Sequence, residues 1–71
     1  MIRRRQTKLV REGQYVAEVE IELIEAGEGW APYLSLEDAQ KLDDVREALW
    51  RGDLPAASRR SRVFLLTPVS G

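Results

Sequence analysis

Residues 15–24 read YVAEVEIELI, and this stretch decides the fold. Apolar side chains occupy every second position, and three glutamates, Glu18, Glu20 and Glu22, alternate with them. Because successive side chains of a strand point to opposite faces, this alternation predicts a β-strand. One face of that strand must be buried, and the other face is a row of carboxylates.

The preceding residues form the predicted hairpin partner of this strand. Residues 3–11, RRRQTKLVR, are strongly basic, and they are followed by Glu12-Gly13-Gln14. A glycine in a short connection between extended segments favours a tight turn, because glycine tolerates a positive φ. The sequence therefore predicts a β-hairpin over residues 3–24.

Two registers of this hairpin are possible. A two-residue Glu12-Gly13 loop places Arg5 opposite Glu20, whereas a three-residue loop places Arg4 opposite Glu22. In either register a basic strand lies beside an acidic one. Opposite charges across strands stabilise a hairpin by about 0.2–1 kcal/mol per pair.

A helix follows the hairpin. Residues 25–34 contain two glycines and a proline and predict a loop. Ser35, with Asp38 three positions later, is a variant of the capping box and predicts a helix over residues 36–51. Gly52 suits the position just beyond its C-terminus. The expected buried stripe consists of Ala39, Leu42, Val45 and Leu49.

The C-terminal part predicts a short helix and a third strand. Asp53 can cap the short helix, and residues 62–69, RVFLLTPV, are typical of a strand ended by proline. The run Val63-Phe64-Leu65-Leu66 does not alternate, so both of its faces or its edge must be covered. The order β-β-α-(short α)-β predicts an α+β fold with a single domain, residues 1–71. In this two-layer sandwich, one main helix packs on a three-stranded sheet.

The third strand has two possible places. It can lie beside the second strand through a right-handed parallel crossover, or beside the first strand. The basic side chains favour an edge position for the first strand, because charge discourages unwanted pairing. The third strand then carries an apolar outer edge, which favours a homodimer or another protein partner.

Composition excludes much enzyme chemistry. The chain has no cysteine and no histidine, so it has no thiol nucleophile, no zinc–thiolate site and no imidazole base. Carboxylates on a solvated strand do not by themselves form a catalytic cleft. We therefore expect no enzyme activity, no cofactor and no metal site.

No apolar segment is long enough to span a membrane or to serve as a signal peptide, and we expect a cytoplasmic protein without membrane contacts.

The net charge of −1 conceals a segregation of charge along the chain. Residues 1–11 carry five basic and no acidic side chains, residues 12–47 carry eleven acidic and two basic ones, and residues 48–71 carry four basic and one acidic. We expect most of these charges to pair internally. The alternative is a dipolar surface that steers a charged partner.

Aromatic and apolar residues near the ends of the elements are candidates for partner binding. We expect Trp30 and Tyr33, before the helix, and Trp50, near its end, to close the two ends of a small core. Their alternative role is to anchor an interface, since Trp and Tyr dominate binding hot spots. The candidate partner-binding residues are Trp30, Tyr33, Trp50, Phe64 and Leu66.

Nucleic-acid binding is the alternative function. The candidate residues are Arg3, Arg4, Arg5, Lys8, Arg59, Arg60 and Arg62. They form one phosphate-binding patch only if the first and third strands are neighbours. The sequence pI of about 5.4 and the lack of aromatic platforms among these residues disfavour this function.

Residues 29–54, GWAPYLSLEDAQKLDDVREALWRGDL, with RVFLLTPV at 62–69, resemble a group of short uncharacterised bacterial proteins. The resemblance runs from Tyr15 to Val69 and carries no catalytic motif. The order of hairpin and helix is also similar to HicB-like antitoxins, although the glycine- and proline-marked strand pattern of that family is missing. That similarity implies a homodimer that shields a cognate toxin. The function predicted is thus a non-enzymatic interaction or regulatory module, antitoxin-like in this analogy.

Overall fold

The central strand of the sheet is β2 (Tyr15–Glu25), and every other strand of the described residues pairs with it. The computed structural model describes residues 2–70 and confirms the α+β architecture. Its elements are β1 (Ile2–Glu12), β2 (Tyr15–Glu25), β3 (Tyr33–Leu34), α1 (Leu36–Arg51), α2 (Leu54–Ser58) and β4 (Arg62–Leu65). All pairings are antiparallel: β1 lies along one edge of β2, and β3 and β4 share the other edge.

The apolar face of β2 forms the centre of the core. Helix α1 packs on this face through three residues of the predicted stripe, Leu42, Val45 and Leu49, and through Ala48, whereas Ala39 is only partly buried. The helix leaves the opposite face, with the glutamates, open. Only one residue of β1, Val10, is buried, because the helix covers only the turn end of that strand. The buried cluster consists of Val10, Ala17, Val19, Ile21, Leu42, Val45, Ala48, Leu49 and Ala57.

Both predicted registers of the hairpin are wrong. The turn residues are Gly13 and Gln14, and Glu12 pairs with Tyr15. Gly13 has a φ of 60°, and among residues 2–70 only glycines have a positive φ. This combination fits a type II′ turn, which takes glycine at its first central position and leaves Glu12 in the strand.

The observed register still sets basic residues beside acidic ones. Arg5 lies opposite Glu22, and the hairpin spans residues 2–25 rather than 3–24. The ion pairs form along the diagonals: Arg3 Nη1 lies 3.4 Å from Glu22 Oε2, and Arg4 Nε lies 3.3 Å from Glu25 Oε1. The predicted cross-strand pairing of charge is therefore present in a different register.

The segment predicted as a loop, residues 25–34, contains the short strand β3. Tyr33 pairs with Ile24, and Leu34 pairs with Leu23. Leu34 packs against the core, so the chain returns along β2 before it enters the helix. The sheet thus has four strands rather than three.

Strand β4 is shorter than predicted and runs antiparallel to β2. It covers residues 62–65 rather than 62–69, because β2 begins at Tyr15, the partner of Leu65. The predicted parallel crossover is wrong. Helix α2 carries the chain back along α1 before β4 begins, and Arg60, just after α2, donates a hydrogen bond from Nη1 to Asp44 Oδ2 at 3.1 Å. β4 therefore enters the sheet in the direction opposite to β2. The predicted edge position of the first strand is confirmed.

Side chains of α1 fill the gap that β3 and β4 leave on the second edge of β2. Asp38 Oδ2 accepts the backbone N–H of Glu22 at 2.7 Å. Lys41 Nζ donates to the backbone carbonyl of Glu20 at 2.7 Å. The helix therefore supplies an acceptor and a donor where a neighbouring strand would supply backbone groups.

This contact changes the predicted cap of α1. Ser35 Oγ accepts the N–H of Asp38 at 3.1 Å, as a cap should. The carboxylate of Asp38 is committed to β2 and does not complete the capping box. The end of the helix is as predicted, since Gly52 has a φ of 76° and donates to the carbonyl of Ala48. Asp53 caps α2 by accepting the N–H of Ala56 at 3.2 Å.

The longest helix of the described residues has 16 residues. No helix within residues 2–70 has the length and the apolar character needed to cross a membrane.

We predict that Asp38→Ala lowers the free energy of unfolding by about 1–3 kcal/mol, because the N–H of Glu22 loses its acceptor. Asp38→Asn keeps an acceptor oxygen and should recover most of that loss. Asp43→Ala is the control, since Asp43 is an exposed helix residue with a single weak ion pair to Arg46. Urea denaturation followed by circular dichroism measures all three. Equal losses for Asp38→Ala and Asp43→Ala would contradict the contact with β2.

Candidate interaction surfaces

The open edge of β4 carries three exposed apolar residues. Phe64, Leu65 and Leu66 are 40%, 58% and 38% exposed, and we call them the β4 edge patch. Within residues 2–70, β4 pairs only with β2. The N–H of Leu66 donates to the carbonyl of Gln14 at 2.6 Å. Since bonded residues alternate in an antiparallel ladder, the backbone groups of Val63 and Leu65 point away from β2.

The β4 edge patch presents apolar groups on both faces of the sheet. Phe64 lies opposite Val16, on the face that α1 leaves open. Leu65 lies opposite Tyr15, on the face that α1 covers. The guanidinium of Arg62 lies over the Phe64 ring, 5.3 Å from its centroid, which is a cation–π contact.

Trp50 lies at the end of α1 near this edge. Its side chain is 76% exposed. It lines a shallow groove of about 420 Å³ together with Gly13 and Tyr15. Because Tyr15 is also the strand partner of Leu65, the groove adjoins the β4 edge patch.

The other aromatic candidates lie at the opposite end of the sheet. Trp30 is 74% exposed and Tyr33 is 49% exposed. Tyr33 pairs with Ile24, and Phe64 pairs with Val16, so their partners are eight residues apart along β2. The strand rise makes this separation about 27 Å. The five candidate residues therefore form two surfaces, one at each end.

The expectation that the tryptophans close the core is wrong. The space between α1 and β2 is filled by Val, Ile, Leu and Ala side chains. Trp30 follows a turn in which its N–H bonds the carbonyl of Gly27 at 3.3 Å, and this turn carries the ring beyond the core. Trp50 is next to the buried Leu49 on the helix, but it lies outside the stripe that meets the sheet.

The structure does not bring the two sets of basic residues together. The set on β1 lies at one edge of the sheet and the set around β4 at the other, with β2 and its glutamates between them. The condition for a single phosphate-binding patch is not met. Three of the candidates are also engaged in ion pairs: Arg3 with Glu22, Arg4 with Glu25, and Arg60 with Asp44.

Two shallow hollows flank the gap in the second edge of β2. One, of about 480 Å³, includes Arg5 and Asp38, and the other, of about 370 Å³, includes Arg59 and Arg62. Lys41 lines both hollows and is held by the carbonyl of Glu20. Within residues 2–70, no group of three acidic side chains is placed to hold a metal ion. The hollows thus combine charges of both signs on an exposed surface.

Sequence reasoning missed three features of these surfaces. Asp38 was interpreted only as a cap, although its position one turn into the helix also permits contact with a strand. Leu65 belongs to the apolar run but was not selected, because its face depends on the register. The basic residues predicted that β1 is an edge strand, but which of its backbone groups point outward depends on the register and follows only from the observed pairing.

No family model, curated protein or solved structure matches this chain. The resemblance to short bacterial proteins and to HicB-like antitoxins therefore stays a prediction. Arguments about function rest on the surfaces described above.

We predict that acrylamide quenches both tryptophans efficiently at low protein concentration, because both side chains are about three-quarters exposed. The variants Trp30→Phe and Trp50→Phe each leave one tryptophan, so the two positions can be measured separately by fluorescence. Free tryptophan is the reference for full exposure. Strong protection of either residue in dilute solution would show that it closes the core after all.

Proposed function

We propose that this chain is a small non-enzymatic interaction module that forms a homodimer through the open edge of β4. The observation that carries the proposal is the coincidence of two features at one place. The backbone groups of Val63 and Leu65 lack a strand partner, and apolar side chains flank them on both faces. Such an edge favours addition of another strand, because backbone hydrogen bonds and apolar burial are gained together.

A two-fold axis at Phe64 gives a consistent dimer. Antiparallel pairing of the two β4 strands sets Val63 opposite Leu65 of the second copy, and these are the residues with outward backbone groups. Phe64 then lies opposite its own counterpart, and Arg62 lies opposite Leu66 of the second copy. Like charges do not meet, and the two sheets become one continuous sheet. A two-fold axis of this kind is the commonest symmetry of homodimers.

Pairing of two β1 strands is the less favourable arrangement. Each β1 carries five basic side chains and only one acidic side chain, Glu12. Symmetric pairing would bring these charges together, and like charges across strands destabilise a sheet. The difference in charge between the edges therefore favours β4 as the site of self-association.

The proposed regulatory role needs a second surface for a cognate protein partner. Trp30 and Tyr33 lie at the end of the sheet away from β4 and stay accessible in the proposed dimer. Exposed Trp and Tyr side chains are typical anchors of protein interfaces. An antitoxin-like module would hold its toxin here. The proposed compartment is the cytoplasm, since a chain without cysteine needs no oxidising environment for its stability.

We predict that the protein sediments as a dimer at concentrations of about 10–100 μM, the range of modest interfaces. Phe64→Glu and Leu65→Glu should each raise the dissociation constant at least about tenfold, because they place carboxylates in an apolar contact. Sedimentation equilibrium measures the molar mass against the 8.1 kDa of one chain.

The matched control for these variants is Leu36→Glu. Leu36 is 86% exposed and lies at the start of α1, away from β4. This substitution should leave the dissociation constant unchanged. A wild-type protein that is monomeric throughout the range would overturn the proposal. The same conclusion would follow if the Phe64, Leu65 and Leu36 variants dimerised equally well.

A further inference from the structure

The outer edge of β1 is a long row of backbone groups without a strand partner. β1 has 11 residues, and within residues 2–70 it pairs only with β2. Glu12 and Tyr15 flank a two-residue turn, so they form a hydrogen-bonded pair, and bonded pairs then recur at every second residue. The even-numbered residues of β1 therefore form backbone hydrogen bonds with β2. The residues whose N–H and C=O point outward are Arg3, Arg5, Thr7, Leu9 and Arg11.

The contacts of β2 support this alternation independently. The N–H of Glu22 and the carbonyl of Glu20 bond side chains of α1 on the second edge. Even-numbered residues of β2 therefore face away from β1. Since each even residue of β2 lies opposite an odd residue of β1, the odd residues of β1 have no bond to β2.

The side chains along this edge are cationic on both faces of the sheet. Arg3 and Arg4 are held by carboxylates of β2. Arg5, Lys8 and Arg11 form no ion pair with any residue of the described chain 2–70. Arg5 and Arg11 share the face that α1 leaves open, whereas Lys8 lies on the opposite face, across from Val19.

We propose that the open edge of β1 binds an extended acidic segment of a partner protein by strand addition. An added strand bonds both the N–H and the C=O groups along the edge. Its carboxylates can meet Arg5 and Arg11 on one face and Lys8 on the other, since strand side chains alternate between faces. β2 already shows this complementarity on the inner side of β1, where an acidic strand pairs with the basic one.

Nucleic acid is the less suitable occupant of this edge. Phosphate oxygens can accept from the outward N–H groups, but they leave the alternating carbonyls without donors. An acidic peptide can direct its carboxylates to the cations while its backbone bonds the edge.

The proposal does not depend on self-association through β4. It uses different residues on the opposite edge of the sheet, so a monomeric protein can show it equally well. A failure to dimerise and a failure to bind the acidic strand are therefore separate results.

The test uses the full chain and a labelled ten-residue peptide in which pairs of glutamates alternate with pairs of threonines, so that carboxylates lie on both faces of the extended peptide. Threonine favours the extended conformation and keeps the peptide polar. Fluorescence anisotropy at low ionic strength measures binding of this peptide. The same assay measures the binding of two control probes, a peptide with lysine in place of glutamate and a single-stranded oligothymidine. The Glu–Thr peptide should bind saturably and weaken with added salt, and the lysine peptide should not bind.

The decisive variant is Thr7→Pro. The N–H of Thr7 points outward, so proline removes an edge donor without breaking the β1–β2 ladder, and the charges stay in place. We expect the dissociation constant for the Glu–Thr peptide to rise at least about tenfold. Thr7→Val keeps the N–H and should change it less than about twofold. A thermal melt verifies that both variants fold.

A second measurement avoids substitution altogether. In the wild-type protein, the peptide should shift the backbone amide signals of Arg5, Thr7 and Leu9 more than those of Gln6 and Lys8. Absence of saturable binding to the Glu–Thr peptide would overturn the proposal. So would equal binding by wild type and Thr7→Pro, which would show attraction of charge alone. Tighter binding of oligothymidine, unaffected by Thr7→Pro, would assign the edge to nucleic acid instead.

Discussion

The fold depends on β2 being hydrogen-bonded along both of its edges. One edge pairs with β1 over its whole length, and the other is shared by β3, β4 and two side chains of α1. Helix α1 therefore covers the apolar face and also bonds the strand edge through Asp38 and Lys41. These two hydrogen bonds fix the position of the helix along the direction of β2. The apolar stripe of α1 limits its rotation, and the two polar contacts limit its sliding. In a chain of 71 residues without disulfides, such a constraint selects one packing among several similar ones.

The same arrangement leaves two open edges of different character. β1 is long and basic, and its outer edge has no cover within the described residues. β4 is short and apolar, and its edge is flanked by Phe64 and Leu65. Because opposite charges attract and apolar groups associate, the two edges suit different partners. The near-neutral net charge thus hides one basic edge and one apolar edge, with the glutamates of β2 between them.

The periodicity of β2 and α1 was sufficient to predict their existence, type and, for α1, both ends. Local signals determine these features: alternation in the strand, and Ser35 and Gly52 at the ends of the helix. The hairpin register was not predictable, because Gly13 can occupy either turn position and both alternatives pair charges well. The exposure of Trp30 and Trp50 also escaped prediction. Aromatic residues next to a small core suggest burial, but the aliphatic residues alone fill the space between the layers.

The most direct measurement is amide hydrogen exchange of the wild-type protein, resolved by residue. If β2 is bonded on both edges, the amide of Glu22 exchanges slowly although no strand lies beside it on the second edge, because Asp38 accepts its hydrogen bond. In dilute protein without a partner, the amides of Arg5, Thr7 and Leu9 exchange fast, and those of Gln6 and Lys8 exchange slowly. Fast exchange at Glu22, or an absence of alternation along β1, would contradict the account of the sheet and of both open edges.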